Sequence, residues 1–127
     1  MTAKVSTVPT QRILLAEDDE SMRGFLTRAL EKAGYDVVSF NNGADAFERL
    51  KQEPFTLLLT DIVMPRLDGI ELARRASAID PEIKIMFITG FAAVTLNNDT
   101  QPKDSRVLSK PFHLKDLVRE VEKLLAE

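Results

Sequence analysis

Acidic side chains follow two short apolar runs of this 127-residue chain. Asp61 comes directly after the run at residues 57–60, and four consecutive acids at residues 17–20 come directly after the run at residues 12–16. Unbroken apolar runs of this length are typical of strands buried on both faces of a sheet. An acid at the end of such a strand stands where open α/β sheets bind ligands. Taken alone, Asp61 is equally compatible with a structural residue that accepts hydrogen bonds from loop N–H groups.

Two further strand ends carry groups that bind anions. Thr89 ends the apolar run at residues 84–89, and Lys110 follows the short run at residues 106–108. Because the carboxyl ends of parallel strands meet at one edge of a sheet, we expect both side chains to lie beside the acids.

The expected cluster has the composition of a metal and phosphate site. Three carboxylates at one edge repel each other, so at least one resists ionisation unless a cation joins them. Oxygen ligands of this kind select Mg²⁺, which keeps several waters and uses few carboxylates. Such a cation can also bind phosphoryl oxygens, and a lysine and a threonine supply further donors. The predicted set is Glu17, Asp18 and Asp61 for the metal, with Thr89 and Lys110 for the phosphoryl group.

Helical patterns separate the predicted strands. Ser21 is expected to cap the first helix and Gly34 to end it. Asp68 is a good N-cap for the third helix. Residues 97–105 are polar and poor in helix formers, which predicts a short or mobile fourth helix. The apolar positions of the last helix are Leu114, Leu117, Val118, Val121, Leu124 and Leu125.

Strands that alternate with helices predict an α/β fold. Right-handed crossovers give a parallel sheet covered by helices on both faces. Of the two common doubly wound orders, 2-1-3-4-5 suits five strands. The expected architecture is a flavodoxin-like (βα)5 doubly wound sandwich. One domain is expected over residues 11–127, after a disordered N-terminal tail at residues 1–10.

The amino-acid composition argues against some classes of binding partner. There are 17 Lys and Arg against 20 Asp and Glu, which argues against nonspecific binding of nucleic acid. No run approaches the roughly 20 apolar residues of a membrane span. The chain has no cysteine, which excludes disulfides and thiol chemistry and fits a cytoplasmic protein. The single histidine, His113, is expected to be an ordinary residue in the first turn of the last helix rather than a catalytic one.

The motifs together resemble the receiver domain of bacterial two-component response regulators. The resemblance covers about residues 11–125 and rests on Glu17-Asp18, Asp61 before Met64-Pro65 and Asp68-Gly69, Thr89, and Lys110-Pro111-Phe112. It implies that Asp61 accepts a phosphoryl group from a phosphohistidine on a histidine kinase or histidine phosphotransfer protein. It also implies that Mg²⁺ is held by the three acids and the backbone carbonyl of Val63, and that Thr89 and Lys110 bind the phosphoryl oxygens.

The runs at residues 13–19, 60–65, 85–92 and 107–114 are most similar to stand-alone receivers that regulate the bacterial cell cycle. That likeness implies a phosphorelay input and an output by direct protein contact, which promotes proteolysis by a ClpX-type protease. Two positions depart from the family pattern. Val107 stands where many receivers carry Tyr or Phe, and Gly90 stands where a slightly larger residue is common.

Two other functions remain open. The chain could be a receiver-like scaffold that binds partners without phosphorylation, although the intact set of acids, threonine and lysine argues against it. A Mg²⁺-dependent phosphatase with Asp61 as its nucleophile is less favoured, because Val63 stands where a second acid would be expected. We therefore expect a self-catalysed phosphoacceptor rather than an enzyme with a separate substrate, and no binding of nucleic acid or membrane.

Overall fold

The computed structural model describes residues 11–90 and 105–127. Within those ranges it contains five strands and four helices. The elements are β1 Arg12–Ala16, α1 Glu20–Lys32, β2 Asp36–Phe40, α2 Gly43–Leu50, β3 Leu57–Asp61, α3 Gly69–Ile79, β4 Lys84–Thr89, β5 Arg106–Ser109 and α4 Leu114–Ala126. The tail predicted at residues 1–10 and nearly all of the helix predicted after β4 lie outside the described residues.

All five strands of the described ranges form one parallel sheet in the order β2-β1-β3-β4-β5. This order confirms the prediction. The central strand β3 is buried along its whole length. Ala16 pairs with Thr60, Asp61 with Ile88, and Thr89 with Ser109. The strands therefore end in register, and the residues that follow them meet at one edge.

Each face of the sheet is covered by helices, as predicted. Leu58 of β3 packs into an apolar cluster with α2 and α3, whereas Leu57 and Leu59 pack into a second cluster with α1 and α4. The alternation arises because successive side chains of a strand point to opposite faces. Burial on both faces explains why β3 is an unbroken apolar run. No helix of the described ranges is long and apolar enough to cross a membrane.

The first helix begins earlier than the sequence predicted. Asp19, not Ser21, is its N-cap: Asp19 Oδ1 accepts a hydrogen bond of 2.9 Å from the backbone N–H of Met22. Both residue types are good caps, and the backbone decides between them, because Asp19 is the residue in an extended conformation. Asp68 caps α3 as predicted, and its Oδ1 accepts from the N–H of Glu71 at 2.8 Å. His113 immediately precedes α4, one position before the first turn in which it was expected.

Gly24 inside α1 and Gly34 just after it should respond oppositely to replacement by alanine. Gly34 follows α1 with a φ of +105°, where a side chain is strained, so Gly34→Ala should destabilise the protein by about 1 kcal/mol. Gly24 lies inside the same helix, and an added Cβ would make only an ordinary contact of 3.5 Å with Arg28. Gly24→Ala should therefore stabilise the protein by about 1 kcal/mol, since alanine is the better helix former. Urea unfolding followed by circular dichroism measures both changes, and equal signs would contradict the expectation.

Candidate functional site

The turn between β1 and α1 presents Glu17 and Asp18. Three hydrogen bonds fix this turn: Glu17 N donates to the carbonyl of Phe40 at 3.0 Å, Arg23 Nη1 donates to the carbonyl of Glu17 at 2.9 Å, and Asp19 N donates to Glu17 Oε2 at 3.0 Å. Glu17 is completely buried, whereas the neighbouring Asp18 is exposed. The turn therefore presents one carboxylate from inside the protein and one from the solvent side.

Asp61 is the last residue of β3 and is 8% exposed. Its Oδ1 accepts from the N–H of Ile62 at 2.9 Å, and its Oδ2 lies 3.2 Å from Nζ of Lys110. The same Nζ lies 3.4 Å from Oε1 of Glu17. Carboxylate oxygens of Glu17, Asp18 and Asp61 all lie within 4.8 Å of one another. The structure thus brings the three predicted acids and the predicted lysine into one cluster.

Thr89 and Lys110 are placed by neighbouring strands. Thr89 ends β4, beside β3, and is 1% exposed. Its carbonyl accepts from the N–H of Lys110 at 2.7 Å, which extends the pairing of β4 and β5 by one residue, and the bond from Lys110 to Pro111 is cis. Val63 lies in the loop after β3, and its side chain is 59% exposed. All five predicted side chains therefore come from the carboxyl edge of the sheet.

Burial and charge set the protonation of the cluster. Burial raises the pKa of Glu17 to about 7, and the charge of Asp61 adds to the rise, while the N–H of Asp19 and the charge of Lys110 oppose it. Burial alone would lower the pKa of Lys110, but the charges of Glu17 and Asp61 together outweigh burial and raise it. Glu17 is thus the carboxylate that resists ionisation, chiefly because it is buried and to a smaller degree because of the charge of Asp61.

Arg23 and Gly69 support the site, and sequence reasoning gave neither a role. Arg23 holds the carbonyl of Glu17, as described above. Gly69 lies against the backbone of Asp61: an ideal Cβ on this glycine would be 1.9 Å from the Asp61 carbonyl oxygen. Gly69 stands in one of the quoted motifs, but its contact depends on how α3 approaches β3, which no local pattern reveals.

The pKa of Glu17 predicts how the stability of the metal-free protein depends on pH. The folded protein keeps this proton up to about pH 7, whereas the unfolded chain releases it near the ordinary value of 4.5. Stability should therefore fall as pH rises from about 4.5 to 7, by about 3 kcal/mol from this group. Unfolding in urea with a chelator, at pH 5 and pH 8, measures the change. Glu17→Gln is the matched control and should lose that part of the slope; an identical slope in both proteins would contradict the assignment.

Comparison with known proteins decides the family. A model of the response regulator receiver domain matches residues 13–122. The chain belongs to this family. The response regulator receiver protein CpdR of Brucella abortus (strain 2308) is 72% identical over 116 residues, which cover 91% of this chain and 97% of that protein. The sensor kinase CckA of the same strain is 33% identical over 117 residues, which cover 89% of this chain but only 12% of the kinase.

A solved structure agrees with this assignment of the fold. The crystal structure of a response regulator receiver protein from Sinorhizobium medicae WSM419 superposes with a TM-score of 0.87 and 34% sequence identity, covering 92% of this chain and 95% of that one. The predicted membership of the receiver family and the predicted flavodoxin-like arrangement of strands are therefore confirmed. The chain is a receiver domain of the two-component systems.

The acids of this receiver domain fit the Mg²⁺ that such domains bind at an acidic pocket. Mg²⁺ prefers oxygen ligands, and the three carboxylates are close enough to share one ion. A cation would also offset the burial of Glu17, which has to lose its proton to become a ligand. The exposed position of Asp18 leaves one side of the cluster open to solvent. Affinity for Mg²⁺ should therefore rise with pH through about pH 7.

Proposed function

We propose that this receiver domain takes a phosphoryl group onto Asp61 from the phosphohistidine of a histidine kinase or phosphotransfer protein. The observation that carries the proposal is the position of the Asp61 carboxylate, which is 8% exposed at the end of β3 and is bridged to Glu17 by Nζ of Lys110. A carboxylate oxygen of Asp61 attacks phosphorus, the phosphorus–nitrogen bond breaks, and its electron pair returns to the imidazole, which takes up a proton. Mg²⁺ bound by Glu17, Asp18, Asp61 and the carbonyl of Val63 would neutralise the charge on the phosphoryl oxygens.

Lys110 and Thr89 are proposed to hold the phosphoryl oxygens. Lys110 already spans Asp61 and Glu17, so a small movement of Nζ transfers its charge from the carboxylates to the new phosphoryl group. The Thr89 hydroxyl belongs to the end of the adjacent strand and supplies a neutral donor. Positioning and charge neutralisation account for most of what phosphoryl transfer needs. We infer that the reaction is self-catalysed, with the protein as both catalyst and acceptor.

The output is proposed to be a change in protein contacts. Val107 of β5 packs into the same apolar cluster as α2 and α3, in place of the aromatic ring that many receivers carry there. Output therefore depends on Lys110, Thr89 and the segments that they move, rather than on an aromatic side chain. The 72% identity to CpdR supports a stand-alone receiver over residues 11–127, acting in the cytoplasm in a phosphorelay that controls the cell cycle. The downstream partner proposed from that likeness is a ClpX-type protease.

Phosphoramidate, which carries a phosphorus–nitrogen bond, tests the proposal without the cognate kinase. Protein labelled with ¹⁵N is treated with this donor in Mg²⁺ or in a chelator, and amide spectra are recorded. We expect shifts at Thr89, Val107 and Lys110 only with Mg²⁺, reversing as the acyl phosphate hydrolyses. Phosphorylation without shifts beyond Asp61 would favour the scaffold alternative. Steady turnover of a phosphate monoester would favour the phosphatase.

A further inference from the structure

The loop at residues 62–68 carries the chain from β3 into α3, and two glycines allow helices to press against its ends. At the acceptor end, the N–H of Gly69 donates to the carbonyl of Ile62 at 2.7 Å. An ideal Cβ on Gly69 would lie 1.9 Å from the carbonyl oxygen of Asp61, 2.9 Å from its carbonyl carbon and 3.0 Å from Cα of Ile62. Every one of these atoms is backbone, so none can rotate away. The first turn of α3 therefore rests directly on the residue that carries the acceptor carboxylate.

The second close approach lies at the other end of the loop. An ideal Cβ on Gly43, the first residue of α2, would lie 2.1 Å from the carbonyl oxygen of Leu67 and 2.8 Å from its Cβ. Gly34 is the glycine with positive φ in the described ranges, so Gly43 and Gly69 are required for space rather than for conformation. Between these contacts, Arg66 has a φ of +72°, which is strained for a residue with a side chain. The loop is thus packed closely at both ends around one residue in a strained conformation.

A methyl group at position 69 has a predictable consequence. A carbon atom needs about 3 Å from a backbone oxygen, so either α3 or the end of β3 would have to move by about 1 Å. The rest of β3 is fixed by pairing with β1 and β4, and its apolar residues are fully buried. The last residue of the strand pairs with β4 but lies beyond the last pair with β1, so it is the part of β3 that can yield. That residue is Asp61, whose Oδ2 has to stay within reach of Lys110.

We propose that Gly69 is a positioning residue for the phosphoacceptor. Because Gly69 has no side chain, α3 can pack against the backbone of Asp61 and fix the position of its carboxylate relative to Glu17 and Lys110. The inference rests on the proposed role of Asp61 as acceptor. It extends that role because the position of the acceptor then depends on a backbone contact with Gly69, which is not one of the acids, the threonine or the lysine of the site. A displacement of about 1 Å is expected to slow transfer about 100-fold.

Gly43→Ala is the matched control for Gly69→Ala. Both substitutions place a methyl group against a backbone carbonyl of the same loop, but the Gly43 contact falls on Leu67 and not on the acceptor. Both variants are made in the Gly24→Ala background, which is expected to add stability, and are studied well below their unfolding temperatures. Two quantities are measured: the rate of phosphoryl uptake from phosphoramidate at saturating Mg²⁺, and the dissociation constant for Mg²⁺ from an NMR titration without donor.

We expect both variants to unfold at lower temperatures than the background protein. Only Gly69→Ala should take up phosphoryl groups about 100-fold more slowly and bind Mg²⁺ more weakly. Equal rates and equal Mg²⁺ affinities in the two variants would overturn the proposal. A Gly69→Ala chain that stays unfolded while Gly43→Ala folds would also overturn it, since the contact would then serve the whole fold. If the background protein itself takes up no phosphoryl group, the proposed function fails, while the Mg²⁺ affinities still decide the role of Gly69.

Discussion

Replacing Lys110 by methionine is expected to slow phosphoryl transfer to Asp61 by about 100-fold or more. Lys110 is the cation that contacts both Asp61 and Glu17 within the described part of the chain, with Nζ 3.2 Å and 3.4 Å from their oxygens. Methionine keeps the length and apolar character of the stem but supplies neither charge nor donor. The entering phosphoryl group would then lose a charge-assisted hydrogen bond, and such bonds are roughly twice as strong as neutral ones. The rate of uptake from phosphoramidate, at saturating Mg²⁺, measures the loss.

A second effect of the same substitution distinguishes a role of Lys110 in the site from a general contribution to stability. The charge of Lys110 lowers the pKa of Glu17, so its removal should move that pKa above about 7. The pH at which Mg²⁺ binds half-maximally should move upward with it. Lys115→Met is the matched control, because Lys115 is exposed and lies in the first turn of α4. Loss of activity in both variants, or in neither, would contradict the role given to Lys110.

Asp61→Asn is expected to abolish phosphorylation while the protein stays folded. The amide oxygen can still accept the hydrogen bond that Ile62 N–H donates to Oδ1 at 2.9 Å, so the end of β3 keeps its local contact. An amide, however, is a poor nucleophile and carries no charge for Mg²⁺ or Lys110. Thermal unfolding should therefore show a cooperative transition for the variant, and the phosphorylated fraction should stay at zero in Mg²⁺ and donor.

Asp68→Asn provides the control for this change. It replaces the same side chain seven positions along the chain. Asp68 is exposed and caps α3 through the N–H of Glu71, and asparagine is an equally good cap. The control should fold and should be phosphorylated like the unmodified protein. A phosphorylated Asp61→Asn protein, or an inert Asp68→Asn protein, would show that the acceptor had been assigned to the wrong carboxylate.

The architecture could be predicted because several sequence patterns indicate the same fold. The runs at residues 57–60 and 85–88 have no polar face, a pattern typical of strands in a sheet covered on both sides. The helices between the strands repeat their apolar residues at helical spacing. Handedness and strand order then follow from general rules for parallel sheets. These signals are local, and they agreed with each other along the chain.

The clustering of the predicted side chains could be predicted from the topology of the sheet, but the details of their contacts could not. Strand ends brought Glu17, Asp61 and Lys110 together because parallel strands finish at one edge. The burial of Glu17 beside the exposed Asp18 could not be predicted, since it depends on how the turn bonds to Phe40 and Arg23. The N-cap at Asp19 was wrongly assigned to Ser21 because both residue types satisfy the same local rule.

Contacts between backbone segments that are far apart in the sequence could not be predicted from the sequence. Gly69 and Gly43 are needed because their helices approach the carbonyl groups of Asp61 and Leu67. Neither glycine has a positive φ, so no local backbone requirement marks either position. The short or mobile fourth helix expected at residues 97–105 falls almost entirely outside the described residues and stays a prediction, as does the disordered tail at residues 1–10. Amide hydrogen exchange across the former segment would test it directly.

Intact mass spectrometry of the unmodified protein and of Asp61→Ala tests the identity of the phosphoacceptor most directly. Each protein is incubated with phosphoramidate and Mg²⁺, and its intact mass is measured before the acyl phosphate hydrolyses. We predict the gain of one phosphoryl group in the unmodified protein, and none in Asp61→Ala or in the unmodified protein with a chelator. A gain of one phosphoryl group in both proteins, or in neither, would contradict the assignment of Asp61.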